Sequence, residues 1–312
     1  MKYFIGIDGG GSFSRLAAID AGMDILGYHS GGATNVASGS YESVRANITA
    51  LLRGFNAETG TNLSDCGAIY MGSAGAKVPG NAQKLEHIFR EAGFSGVVKI
   101  VSDAEILLAA ETRGQPGIIL ISGTGSVGFA VDKNGEVFRV GGWGHLICDG
   151  GSGYRIGMDA IRAAFADYDG SGPKTTLTEM IMQTFELAGL EDFLHYIYSA
   201  DFNKAKIARA ALLVKAASDE GDKVAVGIES HAADNLIRIA GTLIKKVGLD
   251  AHKLVISGSV IVLYERIRQK LCRAVERDFP SVTISEARER PELGAAYLAY
   301  ANHEKKFHKP SY

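Results

Sequence analysis

One short pattern occurs twice and limits the folds open to this chain. Ile5-Gly6-Ile7-Asp8-Gly9-Gly10-Gly11-Ser12 returns 114 residues later as Ile119-Leu120-Ile121-Ser122-Gly123-Thr124-Gly125-Ser126. Each copy is an apolar β-forming run, a glycine turn and a hydroxyl residue that opens a second apolar run. A repeat at this spacing predicts two related domains facing each other, not a solenoid of stacked units. Glycine distribution adds an asymmetry. Of 39 glycines, 30 fall in residues 1–157 and 9 in residues 158–312. Glycine lets backbone approach a ligand closely, so the first half is expected to carry the ligand contacts and the second to be mostly helical scaffold.

The rest of the pattern is α/β. Strands are predicted at 3–8, 13–20, 25–30, 66–71, 97–101, 118–122, 127–131 and 137–140. Val44, Ile48, Leu51, Leu52 and Phe55 recur at helical spacing, as do Leu85, Ile88, Phe89 and Ala92. Asn134-Gly135 marks a hairpin. Beyond residue 153, helices are predicted at 157–167, 176–189, 191–199, 203–218 and 222–247. A strand at 254–257 then ends in Gly258-Ser259. A helix over 261–277, an edge strand at 281–285 and a closing helix over 292–303 complete the chain, with Pro291 at the last helix start.

Composition narrows the function. Lys and Arg total 33 and Asp and Glu 35, a net charge of −2, with no basic block. Nucleic acid and anionic membrane are therefore not expected partners. Cys66, Cys148 and Cys272 are scattered, form no CxxC pair and fit a cytoplasmic location. The N-terminal apolar run is too short for a signal peptide. The long uncharged stretch from Gly114 to Val131 is broken by Pro116 and glycines, so no membrane span is expected.

The glycine turns are not those of a Rossmann or P-loop fold, because each leads into a strand and not a helix. No Gly-Lys pair, HExxH or GxSxG occurs. A β-hairpin tip can still bind phosphate, because consecutive backbone N–H groups form an anion nest and a Ser or Thr adds a donor. Either turn alone is explained as a tight hairpin; the pair, with Asp8 before the first, points to a polyphosphate. A carboxylate beside phosphate needs an intervening cation, and Mg²⁺ suits carboxylate, phosphate and water oxygens. Asp103 follows a strand and opens a helix. It reads either as a helix cap, a role open to Ser102 as well, or as an acid at the ligand-binding end of a sheet. Trp143, between glycines, reads as a ligand wall and Asp149 as a second candidate acid. His145 reads as a base or as a structural histidine.

Taken in order, these pieces resemble the N-acetylglucosamine kinase / BadF-BadG-BcrA-BcrD-type ATPase family of the actin-like ATPase and sugar-kinase superfamily. The matching pieces are Asp8-Gly9-Gly10-Gly11-Ser12, Thr34-Asn35, Gly72-Ser73-Ala74-Gly75, Ser102-Asp103-Ala104 and Ser122 to Ser126. Gly141-Gly142-Trp143-Gly144-His145, Asp149 with Gly151-Ser152-Gly153, Gly258-Ser259 and Pro291 to Ala296 complete the series. The resemblance implies an α/β fold of two actin-like (ribonuclease H-like) domains with a central cleft. Residues 1–112 with 291–312 would form the first domain and 113–290 the second, with helical insertions.

It also implies roles. Asp8 would organise Mg²⁺ through water. Gly10, Gly11, Ser12 and Thr124 would hold the ATP phosphates, with Gly258 and Ser259 beside the adenosine. Asn35, Gly125, Ser126, Trp143, Gly144 and Asp149 would hold an amino sugar, and Asp103 would be the base that accepts the proton of its 6-hydroxyl. The implied activity is an ATP-dependent kinase of N-acetylglucosamine or a close relative, acting as a cytoplasmic homodimer. Glucosamine or N-acetylmuramic acid kinase, and an ATP-dependent sugar sensor without catalysis, are the alternatives. The chain departs from the family pattern twice: Ser12 stands where Thr is common, and Gly150 where the loop commonly has Glu. The iron–sulfur branch of the family needs clustered cysteines where this chain has Ala74 and Gly75, so that branch is rejected.

Overall fold

The computed structural model describes residues 2–36, 39–73, 75–76, 78–199, 203–248 and 253–307; Ala74, in one of the quoted motifs, lies outside them. The chain divides into two compact units, Met1–Pro116 with Ala287–Tyr312, and Gly117–Glu286. The first holds β1 (Tyr3–Gly9), β2 (Phe13–Asp20), β3 (Ile25–Gly32), α1 (Tyr41–Thr59), β4 (Cys66–Ser73), α2 (Asn81–Glu91), β5 (Val97–Val101) and α3 (Asp103–Thr112). The second holds β6 (Gly117–Ser122), β7 (Ser126–Val131), β8 (Val137–Gly141), α4 (Gly153–Tyr168), α5 (Leu177–Thr184), α6 (Asp192–Ile197), α7 (Lys204–Arg209), α8 (Ala211–Asp219) and α9 (Lys223–Val247). It continues with β9 (Lys253–Ser257), α10 (Ser259–Leu263), α11 (Glu265–Asp278) and β10 (Thr283–Glu286). The closing helix, α12 (Pro291–Phe307), belongs to the first unit.

The repeated pattern becomes a repeated sheet. The first sheet has the order β3-β2-β1-β4-β5 and the second the order β8-β7-β6-β9-β10. In each, the hairpin strands pair antiparallel and the later strands parallel. β1 and β6, which carry the two copies of the motif, are the central strands. Central strands are buried on both faces, which is why their sequences read as continuous apolar runs.

In the first unit the strand alternation feeds two cores. Ile5 and Ile7 pack with Ile48, Phe55 and Phe89 on one face, and Phe4 packs with Tyr70, Ile106 and Ala296 on the other. Gly6 admits α12 against β1, since a Cβ there would stand 2.1 Å from both Ala296 N and Glu292 O. In the second unit, α4, α8 and α9 supply most of a large core against β6 and β7. Among the described residues no helix is long and apolar enough to cross a membrane.

Three predicted helices differ. The segment expected as one helix over 203–218 breaks at Ala210 into α7 and α8, and that over 261–277 breaks at Tyr264, whose backbone is extended (φ −102, ψ 90) while its ring is buried. The helix expected to reach 189 stops at Thr184, before Glu186 takes a positive φ of 55. Continuous apolar spacing hides such breaks, because the buried face carries on across them.

Candidate functional site

In the first sheet, Asp8, Gly72 and Val101 stand in register on the parallel strands β1, β4 and β5. Their carboxyl ends form one edge. Two strand spacings put the ends of β1 and β5 about 10 Å apart. Asp8 stands at the first end, and Asp103 opens α3 just past the second. Open α/β sheets present ligands at this edge.

Asp103 is not the helix cap. Ser102 is: its hydroxyl accepts from Glu105 N–H, and the Glu105 carboxylate reaches back to the Ser102 N–H, a reciprocal capping box. Asp103 is exposed, and among the described residues its carboxylate accepts only from the adjacent Ala104 N–H, at 2.9 Å. Its carboxylate is thus free of the capping duty that its position in sequence suggested.

Asp8 faces Arg15 across the β1–β2 pair, with Nη1 3.7 Å from Oδ2. Burial pushes the Asp8 carboxyl above its ordinary range, the charge of Glu292 adds to this, Arg15 opposes it, and Asp103 adds a smaller push. Glu292 is fully buried. One of its oxygens takes Arg290 Nε at 2.6 Å, and among the described residues its Oε2 has no hydrogen-bond partner. Among the described residues no three His, Cys, Asp or Glu side chains converge as a metal cage.

The turns themselves are built alike. The Gly10 carbonyl accepts the Thr34 N–H at 3.1 Å, and buried Thr34 also shares a 2.6 Å hydroxyl contact with Ser14. Gly123 and Thr124 carbonyls accept from Gly153 (2.7 Å) and Tyr154 (3.1 Å) at the start of α4. In a trans peptide the following N–H points opposite to the carbonyl. Tying these carbonyls inward therefore turns the N–H groups of Gly11, Thr124 and Gly125 outward, and Gly11, Ser12, Thr124 and Gly125 are exposed. Asn35 follows Thr34, and its carbonyl accepts the Gly39 N–H at 3.0 Å.

Thr124 and Ser259 line one cavity of about 280 Å³ in the second unit, with Ala205 and Ala208 of α7, Leu212 and Tyr264. Gly258 sits behind it at φ +97, where its Cβ would lie 2.3 Å from the Ser122 carbonyl oxygen. Only glycine meets both conditions. Asp149 lies beside the second turn: an ideal Cβ on Gly125 would be 3.3 Å from its Oδ2. Burial raises the Asp149 pKa, against the lowering effect of the Ser126 N–H, His145 and Lys204. The Ser126 side chain is buried, and its hydroxyl donates to the Gly150 carbonyl at 2.9 Å. Trp143 is 63% exposed, with the Arg139 guanidinium 4.5 Å from its ring centroid, so it is no core residue. Gly144 is in the same loop at φ +96. His145 packs edge-on against Tyr154 at 4.8 Å.

The model of the BadF/BadG/BcrA/BcrD ATPase family matches residues 5–299. The chain belongs to this family. This family member is 34% identical over 301 residues to the N-acetylmuramic acid/N-acetylglucosamine kinase of Clostridium acetobutylicum, spanning 96% of this chain and 98% of the relative. It is 29% identical over 311 residues to the N-acetyl-D-glucosamine kinase of Dictyostelium discoideum, with the same coverage. A solved structure from Chromobacterium violaceum shares its fold, with a TM-score of 0.70 at 24% identity over 96% of this chain and 99% of that one. So does a ROK hexokinase of Thermus thermophilus, with a TM-score of 0.64 at 19% identity over 97% and 99%. The two-domain actin-like α/β fold expected from the sequence is the fold of this BadF/BadG/BcrA/BcrD ATPase.

Sequence reasoning missed the helical wall of the 280 Å³ cavity. Ala205 and Ala208 are small residues three apart on α7, a signal indistinguishable from ordinary helix packing until α7 is seen beside Ser259. Glu292 lies within the Pro291 to Ala296 stretch, and its burial close to Asp8 is invisible without α12 lying on β1.

Proposed function

We propose that this chain is an ATP-dependent kinase of amino sugars, transferring the γ-phosphoryl group to the 6-hydroxyl of N-acetylglucosamine or a close relative. The observation that carries the reading is Asp103: an exposed carboxylate at the carboxyl edge of the sheet, with the adjacent helix capped by another residue. A full-length likeness to sugar kinases supports the substrate class.

Roles follow from the chemistry. A sugar hydroxyl is a poor nucleophile, and Asp103 accepts its proton as the bond to phosphorus forms. The transferring phosphoryl group needs charge stabilisation more than covalent chemistry. The outward N–H groups of Gly11 and Thr124, with Gly10 and the Ser12 hydroxyl beside them, would supply it. The 280 Å³ cavity takes the nucleoside, with Gly258 and Ser259 at its base. Asn35, Gly125, Trp143, Gly144 and Asp149 hold the sugar. Ser126 contributes through its N–H to Asp149, since its hydroxyl is engaged with Gly150.

Asp8 is a partly buried carboxylate that, among the described residues, belongs to no cage of acidic ligands. That donor set fits Mg²⁺ held largely by phosphate and water. When bound, Mg²⁺ neutralises charge on the β- and γ-phosphates. ADP release measured with N-acetylglucosamine, N-acetylmuramic acid, glucosamine and glucose tests the reading. A clear preference for an N-acetylated amino sugar is expected; preference for glucose, or no sugar-dependent release, overturns it.

A further inference from the structure

Apart from Asp149, the lining of a second cavity of about 590 Å³ in the same unit has no part in the roles above. Asp149 and Gly150 stand on one side of it, Arg155 and Asp159 of α4 on another. The remaining wall is one face of α9, on which Gly227, His231, Asn235 and Arg238 recur at the three- and four-residue spacing of a single helical stripe.

Two features set the charge of this cavity. The first is Gly150. A Cβ there would stand 2.8 Å from both Cγ and Oδ1 of Asn235, so a side chain at position 150 would displace the Asn235 amide. Glycine in place of the glutamate common at this position leaves no second carboxylate beside Asp149. The second is Arg238. Its guanidinium donates to Asn235 Oδ1 at 2.6 Å, and among the described residues no carboxylate pairs with it. Asp159, by contrast, is engaged by both Arg155 at 3.0 Å and Arg162 at 3.1 Å. An arginine carries five donors in a planar fork suited to carboxylate. Arg238 spends one of them on Asn235, which also fixes its orientation over the cavity wall.

We infer that this cavity is a subsite for a carboxylate carried on the amino sugar, with Arg238 as its counter-charge and the lack of a carboxylate at position 150 sparing it a repulsion. The inference rests on the sugar being held at Asp149. A sugar whose hydroxyl bonds Asp149 stands at the rim of this cavity, so a neighbouring ring substituent enters it. The 3-O-lactyl group of N-acetylmuramic acid is such a substituent: a short ether ending in a carboxylate. The imidazoles of His145 and His231 add hydrogen-bonding groups along the same walls.

The test compares kcat/KM for N-acetylmuramic acid and N-acetylglucosamine in the intact protein and in two variants. Arg238→Met should lower the ratio of the two values by about 10- to 100-fold, the range of a lost charge-assisted hydrogen bond. Arg238→Lys should restore part of that loss. The neutral 3-O-methyl ether of N-acetylglucosamine should show no such change, separating charge from bulk. An unchanged ratio in Arg238→Met overturns the subsite. So does an intact protein that phosphorylates N-acetylglucosamine but not N-acetylmuramic acid, while the kinase reading stands. Failure to phosphorylate either sugar overturns the kinase reading and the subsite together.

Discussion

Asp8 and Asp103 stand at the carboxyl ends of β1 and β5, with Gly72 of β4 in register between them. The two acids share one sheet edge but not one environment. Asp8 is half-buried, pushed up in pKa by burial and by Glu292, and tied to Arg15, whereas Asp103 is exposed. In the proposed mechanism the pair divides labour: Asp8 takes a fixed electrostatic role and Asp103 meets the incoming hydroxyl.

Asp103→Asn should lower kcat by about 10² to 10⁴, the usual worth of a general base. Nucleotide affinity should change little, and so should the melting temperature, because Ser102 still caps α3. Steady-state kinetics with calorimetric ATP titration checks this. Near wild-type turnover in a folded variant would remove Asp103 from the chemistry.

Ser102→Ala should do the reverse. Loss of the cap should cost about 0.5 to 2 kcal/mol, read as a lower denaturation midpoint in urea. If stability is unchanged, the capping box does not hold α3 in solution.

Gly258→Ala forces a Cβ into the Ser122 carbonyl at a positive φ. The backbone between β9 and α10 must shift, and ATP affinity should fall at least tenfold with a smaller effect on sugar binding in the absence of nucleotide. Equal ATP affinity by calorimetry would separate this turn from the nucleotide cavity.

Gly125→Ala places a methyl group 3.3 Å from the Asp149 carboxylate. Sugar KM should rise severalfold more than ATP KM. A change confined to ATP would show that the second turn touches phosphate alone.

Asp149 gives a pH signature. Burial raises its pKa, so it takes up a proton at higher pH than an exposed aspartate. As pH falls through that raised value, a hydrogen-bond acceptor for the sugar is lost and sugar KM should climb. The same shift costs stability: nothing below the unfolded pKa, and the full amount above the folded one. Asp149→Asn should therefore flatten the acid limb of the KM profile while leaving the protein at least as stable at neutral pH. A profile identical to wild type would exclude Asp149 as the titrating group.

Much of this architecture was legible in residue order. β1 and β6 were readable because central strands are apolar on both faces, and their glycine tips repeat. Helix breaks at Ala210 and Tyr264 were not, because a buried face continues through them. Ser102 and Asp103 were equally good caps by type; which one capped depended on the reach of Glu105 back to the Ser102 N–H.

The sequence by itself determined the duplicated strand–turn–strand unit, the family and the set of glycine, acid and hydroxyl residues available for chemistry. Those are local properties, set by side-chain type and by spacing along the chain. Tertiary structure alone decided what each could do. α12 returning onto Gly6 brings Glu292 close enough to shift Asp8, although 284 residues separate them in the chain. α9 packing against the loop at Gly150 sets Asn235 where a side chain would stand, and leaves Arg238 without a carboxylate partner among the described residues. Charge and steric exclusion act through space, over distances that chain order does not encode.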